Sequence, residues 1–571
     1  MVTNRNPQDN ISINDILKHY TRHNLIIMSI RRCIGDYLIN IIKYSKYRAR
    51  NYKVISTPSS KIDDFPELKA EIHTLLNHPV TIYGTINGQD EPHGIKNSIT
   101  TPLFGNPVIG YYHDSHTSPT LEKYISNPIQ SQRKLDTGFN TFDARFNTFI
   151  KIADLIETKY WYKMMAATIV GQGKTVYEAE IDCIGELVDF LRFNIQYAYQ
   201  ILKKQPLSTE ETFNISNYLP LRGITAAITP FNFTAIAGNL AITPLLFGNT
   251  VYWKPSFNSL LSNRLLYNIC IEAGIPHNLF HFIVMDPKKF SKIIINSEHL
   301  GSILMTGSTA TFNTIYKNVA LNIENYNNYP RLVGETGGKN YHFVSQDADI
   351  DLVVNKTFSA AFDYSGQKCS ACSRLYLPEY YYEEFMYKIS LLIANIDEKH
   401  YGVIDRIKFN EIEKILYRME NSPEIQIVYG GSTNLRNSYY VEPIIYISHN
   451  SSNEYITKEL FAPILGIRLY NPENEKEMIN ECISSSKYAL TGAIFSYNKD
   501  WLSNMSGLLA ETAGNFYVNN KCTGAVVGHQ PFGGFGKSGT NDKAGDINFL
   551  YKLFNQRNIS SLIKMEISIK S

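Results

Sequence analysis

Two side chains in this sequence could do covalent chemistry together: the thiol of Cys369, in GQKCSACSR (366–374), and the carboxylate of Glu335, in the glycine-rich run GETGGKN (334–340). A thiolate captures a carbonyl carbon, and the acyl group it then holds needs a base that activates water to release it. A glutamate in a tight glycine turn can be that base, so the pair points to acyl chemistry through a thioester. Ser370 and Cys372 follow the thiol at once. Cys369 and Cys372 also spell CxxC, but a zinc site wants a second ligand pair, none stands at suitable spacing, and no metal is assigned. A thioredoxin-like dithiol would want a strand context that the preceding residues do not offer, and a buried structural thiol is the commonest fate of any cysteine. From the residues alone, nucleophile, dithiol and structural thiol all stay open. Lys368 would favour the thiolate if it points toward the sulfur.

Such groups need a scaffold. Short apolar runs ITAAIT (224–229), TVYW (250–253), LFHFIV (279–284) and SILM (302–305) alternate with helical stretches. Buried runs of this kind argue a mostly parallel sheet covered on both faces, which binds nucleotides at the carboxyl ends of its strands. Thr229 ends one strand, Lys254 follows another, and Gly307-Ser308 follows a third and opens the segment TATFNTIYKNVA, whose free N–H groups could face a pyrophosphate. Upstream, Ile181, Ile184, Val188, Leu191, Ile195 and Ala198 share one face of a helix within 178–204. Its charged residues read as a solvated face, with Glu186 held back as an exception. Gly534, Gly536 and Gly539 spell GxGxxG, but Pro531 stands upstream and no strand feeds the loop; GQGKT (171–175) lacks the earlier glycine of a P-loop. Neither is read as a nucleotide site.

Composition narrows the class. A chain of 571 residues exceeds one ordinary core, so two or three domains are expected. With 44% apolar and 19% charged residues the profile is soluble and globular. The most apolar stretch, 234–253, is broken by Gly238, Asn239, Pro244, Gly248 and Asn249, so no membrane span is expected. Charge balances at 55 basic to 53 acidic residues, and the main body has no basic excess to attract nucleic acid. Seven scattered cysteines fit a reducing compartment. Residues 1–53 hold ten Lys/Arg against three acids, which reads as a mitochondrial presequence or a solvated basic arm.

The two signature runs, with VGQGKTVYEAEID (170–182), ITPFNFTAIAGN (228–239), VYWKPS (251–256), MTGSTATF (305–312), ELFAP (459–463), LTGAIFS (490–496) and VVGHQPFGGFGKSGTNDK (526–543), resemble the aldehyde dehydrogenase superfamily. They stand in family order over nearly everything after about residue 60. The branch that oxidises L-glutamate γ-semialdehyde, in equilibrium with Δ1-pyrroline-5-carboxylate, is the most similar. The resemblance implies an α/β fold with a Rossmann-like NAD domain over 60–334 and a catalytic α/β domain over 335–525. A β-flap at 203–222 would be completed by 526–571, which also returns to the NAD domain, and would build a homodimer or higher homo-oligomer. Residues 1–55 would be a presequence for the mitochondrial matrix or a disordered basic arm.

The resemblance also implies roles. Cys369 would be the nucleophile, Glu335 the base, and Asn232 an oxyanion donor. Thr229, Lys254, Gly307, Ser308, Thr309, Ala310 and Thr311 would contact NAD, with Glu459 on the nicotinamide ribose and Phe461 beside it. Phe233 and Phe532 would box the aliphatic part of glutamate semialdehyde, Ser370 would hydrogen-bond it, and Thr523-Gly524-Ala525 would anchor its α-carboxylate. Three positions depart from the pattern. Ala462 stands where the family usually has glycine, Ala525 where some relatives have serine, and Phe257 where an acidic residue often reads the adenosine ribose. That last departure leaves NAD against NADP open. Other readings are an aldehyde dehydrogenase of different specificity and a catalytically silent binding protein.

Overall fold

The computed structural model describes residues 54–114, 119–125, 137–397, 401–435 and 438–563. The basic arm at 1–53 lies outside the described residues.

Two seven-stranded sheets carry the structure. The first contains β1 (Ile224–Ile228), β2 (Thr250–Lys254), β3 (Leu300–Thr306) and β4 (Arg331–Glu335), in the spatial order β4-β3-β1-β2, with Phe280–Phe282, Gly84–Ile86 and Gln89–Glu91 beyond β2. β1 to β4 all pair in parallel. Every residue of β2 is buried, as is all of β3 but its last, so these strands read as continuous apolar runs because both their faces are covered. The parallel sheet expected from the sequence is there.

Between Glu335 and Asn340 the chain crosses into the second sheet, whose central strands are β5 (Asn340–Val344) and β6 (Cys372–Pro378). β5 and β6 are parallel neighbours, Thr491–Phe495 flanks β5, and Ile464–Tyr470 flanks β6, also in parallel. Helices Ile350–Phe362 and Tyr382–Ile393 bury Val353, Val354, Phe385 and Ile389 in its core. A separate antiparallel pair joins Thr212–Pro220 to Phe554–Leu562, with most of the second strand exposed.

One expectation fails. The charged residues of 178–204 are not a solvated face: Glu180, Asp182, Asp189 and Arg192 are all buried. The apolar periodicity is interrupted because Glu180–Glu186 is a π-helical turn ahead of the α-helix Leu187–Lys203. The wider turn rotates acids inward that a uniform 3.6-residue period would place outside. Glu180 there accepts from the amides of Ile55 and Ser56.

Candidate active site

Cys369 is presented by a backbone that reverses hard. Tyr364, Ser365 and Gly366 all take left-handed conformations, at φ +53°, +52° and +65°. Two of them are not glycine, and each such residue costs roughly 1–2 kcal/mol. The surroundings hold them there. The Tyr364 hydroxyl donates to Gln172 O at 2.6 Å, Ser365 Oγ donates to Gly402 O at 3.0 Å, and buried Gln367 accepts from Ile404 N at 2.8 Å. A Cβ on Gly366 would stand 2.3 Å from Ala462 O, so the turn carrying Cys369 lies directly on the 459–463 segment. Asn340 closes the turn from below, its Nδ2 donating at 2.8 Å to the carbonyls of both Cys369 and Ala371.

Asn232 reaches the same turn from the first sheet. It follows β1 just before helix α1 (Thr234–Ile242), and its buried Nδ2 donates to Gln367 O at 3.0 Å. The amides of Thr234 and Ala235, which open α1, donate to the Asp182 carboxylate at 3.0 and 2.8 Å, and Asp182 pairs with Lys174 at 2.7 Å. The Lys174 ammonium lies 4.1 Å over the Phe233 ring. The lysine of GQGKT therefore has a place beside Asn232 and Phe233, not in a phosphate loop.

Glu335, the last residue of β4, is buried, with Oε2 accepting from Gly534 N at 3.3 Å and Oε1 left without a partner. Burial pushes its carboxyl well above the usual carboxylate range; Asp542 adds to the push, while Gly534 N–H and Lys543 oppose it. The walls around it come from the C-terminal loop. A Cβ on Gly533 would sit 2.6 Å from Oε1, Thr336 N donates to Ser538 O at 2.8 Å, and Gly334 and Thr540 exchange bonds of 2.8 and 2.9 Å. Of the glycines set aside as a chance GxGxxG, Gly539 lies against this carboxylate, where an added Cβ would stand 3.1 Å from Oε2, while Gly534 and Gly536 pack against Ser538, Ala489 and Lys487. Their repetition was the available signal.

Cys369 and Glu459 line a common small cavity with Gly338, Phe461 and Ala462. The thiol is part-exposed, and its pKa is pushed up to about 12, first by desolvation and then by the Glu459 and Glu335 carboxylates. The two carboxylates thus reach the sulfur electrostatically. Lys368 does not offset them as expected: its ammonium lies 3.7 Å from Asp363 Oδ2. Glu459 accepts from Gly338 N at 3.0 Å, and burial raises its carboxyl to about 7 against Gly338, Lys339 and Lys408. Phe461 beside it is left-handed, at φ +52°, and Ala462 is not among the positive-φ residues, so alanine there costs the loop no strain.

Of the proposed cofactor residues, Thr229, Lys254 and Gly307 to Thr311 gather at the carboxyl ends of β1, β2 and β3. Thr229 N donates to Lys254 O at 3.2 Å, and its hydroxyl accepts from Trp253 Nε1 at 2.9 Å. Lys254 is buried, and desolvation drops its pKa to about 8 although Asp286 and Asp114 pull it up. Its ammonium lies 4.7 Å over the Phe257 ring, which stacks on Tyr112. Gly307 N donates to Glu335 O at 3.1 Å, and Ser308 caps α2 (Thr309–Leu321), accepting from Thr311 N at 3.2 Å. Ala310 and Thr311 are exposed on that first turn, and Thr309 Oγ1 accepts from Gly337 N at 3.3 Å, tying α2 to the glutamate turn. A buried cation and an exposed helix N-terminus beside the strand-order reversal between β1 and β3 fit a dinucleotide.

At the substrate end, Ser370 Oγ and Thr523 Oγ1 lie 2.7 Å apart. Gly524 is left-handed at φ +84°, and the amides of Gly524 and Ala525 have no hydrogen-bond partner among the described residues. Phe233 and Phe532 are both half-buried, and Phe532 pairs with Ala544 through backbone bonds of 3.0 and 2.7 Å. Glu186, at the end of the π turn, has its carboxyl raised to about 8, by burial first and then by Asp182.

A strained thiol turn, an amide donor beneath it and a buried carboxylate, set between a nucleotide-type sheet and a second α/β sheet, define a class. Residues 132–559 match the aldehyde dehydrogenase family, and the chain belongs to it. A mitochondrial Δ1-pyrroline-5-carboxylate dehydrogenase of Dictyostelium discoideum is 40% identical over 465 residues, 80% of this chain and 83% of that protein. The mitochondrial enzyme of that name from Homo sapiens is 42% identical over 441 residues, 76% of this chain and 78% of its own. The crystal structure of the Mycobacterium tuberculosis Δ-pyrroline-5-carboxylate dehydrogenase bound with NAD matches with a TM-score of 0.83 at 33% identity, covering 91% of this chain and 97% of that one.

Proposed function

We propose that this protein oxidises L-glutamate γ-semialdehyde, the open form of Δ1-pyrroline-5-carboxylate, to L-glutamate with NAD, as the second step of proline breakdown. The observation that carries the reading is the meeting of the Cys369 thiol, the Asn232 amide on its turn and the Glu335 carboxyl with one oxygen free. The Cys369 sulfur bonds to the aldehyde carbon, and the charge gathering on the aldehyde oxygen is met by the Asn232 Nδ2–H and a backbone N–H. Losing one such donor costs about 10²–10³ in rate. Thr229, Lys254, the 307–311 turn and Glu459 would hold NAD, which would supply the hydride acceptor. Glu335 then takes a proton from water, whose oxygen attacks the thioester carbonyl and frees glutamate and thiol. A carboxyl raised by burial is a stronger base than one in water, as that step wants. The unpartnered amides of Gly524 and Ala525, beside Ser370 and Thr523, support a substrate that ends in a carboxylate.

In rapid mixing with pyrroline-5-carboxylate, Cys369→Ala is expected to form no NADH. Glu335→Ala should give a single burst of NADH and then turn over at least 10²-fold slower than the unaltered protein, an order set by the usual worth of a general base. Steady-state activity in the cysteine variant overturns the assignment.

The division into a cofactor domain at 60–334, a catalytic domain at 335–525 and a returning segment at 526–571 belongs to the same reading, supported by the crossing between sheets after Glu335. The mitochondrial names of relatives and the basic, acid-poor residues 1–53 support import into the matrix. A diffuse cytosolic signal from a fluorescent fusion of residues 1–60 would remove that part. Among the described residues no helix is long and apolar enough to cross a membrane.

A further inference from the structure

One layer beneath the nucleophile the fold assembles a donor set that sequence spacing does not announce. His342 lies in β5, Cys372 begins β6, and Cys522 follows the strand Asn515–Val518; all three are buried. Their ligand atoms lie within 4.8 Å of one another. Cys522 Sγ donates to Ser370 O at 3.6 Å, and Cys372 Sγ to Arg374 O at 3.5 Å. From the geometry we infer that His342, Cys372 and Cys522 form a binding site for one thiophilic divalent cation of the Zn²⁺ type.

Three features support it. Zn–S bonds of about 2.3 Å and Zn–N bonds of about 2.0 Å put tetrahedral neighbours roughly 3.5–3.8 Å apart, so atoms within 4.8 Å of one another need to close by at most about 1.3 Å. The His342 ring is already oriented: Cys522 N donates to Nε2 at 3.2 Å, so the ring proton is on Nδ1, where it meets Thr357 Oγ1 at 2.8 Å. Nε2 thus carries its lone pair, which meets the Cys522 amide, and the second nitrogen is fixed by a neighbour, as in ligating histidines. The ion would replace the Cys522 N–H on Nε2. Charge balances as well, since two thiols release two protons and the resulting thiolates neutralise a divalent ion in a buried place. Cys372 also lines the small cavity that holds Cys369.

An ion there would tie the turn carrying Cys369 and Ser370 to the loop carrying Thr523, Gly524 and Ala525, fixing the nucleophile relative to the carboxylate anchor. The test uses Cd²⁺ alone on the reduced full chain carrying Cys369→Ala, so that the catalytic thiol takes no part. That chain is expected to bind about one Cd²⁺ with an ultraviolet thiolate-to-cadmium band. Cys369→Ala/Cys522→Ser and Cys369→Ala/Cys372→Ser, with unchanged melting, should each lose most of the band and bind at least tenfold more weakly. Should either double variant fail to fold, the single variant decides alone: no thiolate band overturns the site. Equal bands in the single variant and either folded double variant overturn it as well.

Discussion

The sulfur proposed to attack the carbonyl is held where its ionisation is opposed. Two carboxylates and desolvation push the Cys369 thiol up to about 12, and Lys368 is engaged with Asp363. Below that pKa the thiolate fraction rises tenfold for each pH unit. Alkylation of the resting protein by iodoacetamide, followed at Cys369 by mass spectrometry, should therefore quicken about tenfold per unit between pH 7 and 9, without levelling. A plateau near neutral pH would show that another group pairs with the thiol. The departures from the family pattern are also decided at this scale: alanine fits at 462 because the left-handed residue of that loop is Phe461.

At the scale of elements, the C-terminal loop is a wall of the site. Gly533 lies against Glu335 Oε1, and the only space for a methyl group there is the space the carboxylate uses. Gly533→Ala should leave the NADH burst intact and slow steady turnover at least tenfold, because Glu335, the proposed deacylating base, is displaced while the thiol is untouched. Stopped-flow comparison of burst and steady phases checks it, and equal loss of both phases would mean that the loop serves the nucleophile instead. The strands and the thiol and glutamate turns were legible from apolar runs and glycine spacing. The role of 533–540 was not, because its partners at 334–337 lie about 200 residues away and meet it only in the fold. The helix 178–204 misled for a related reason: period counting assumes a uniform turn, and a π segment breaks that assumption.

For the whole molecule, the antiparallel arm of Thr212–Pro220 and Phe554–Leu562 is the feature that a monomer does not explain. A two-stranded ribbon is marginal alone, and Leu219 and Leu562 are exposed on it. A homodimer or higher homo-oligomer, which the family resemblance implies, would cover that arm with a second copy. Ile559→Pro removes a ladder donor opposite Ile215, and sedimentation should then show the dimer shifting toward monomer with the secondary structure otherwise kept. A dimer that persists would place the interface elsewhere.

By itself the sequence determined the parallel scaffold, because buried apolar runs are local patterns and periodicity dictates what they become. A cysteine turn and a glutamate turn alone left nucleophile, dithiol and structural thiol open, and the resemblance carried by many motifs in order chose among them. The tertiary structure decided what lies around those groups. It set which carboxylates face the thiol, gave Glu335 its glycine walls and buried the acids of the π turn. It also placed His342 and Cys522 against Cys372, because parallel strands distant in sequence become neighbours only when the sheet closes.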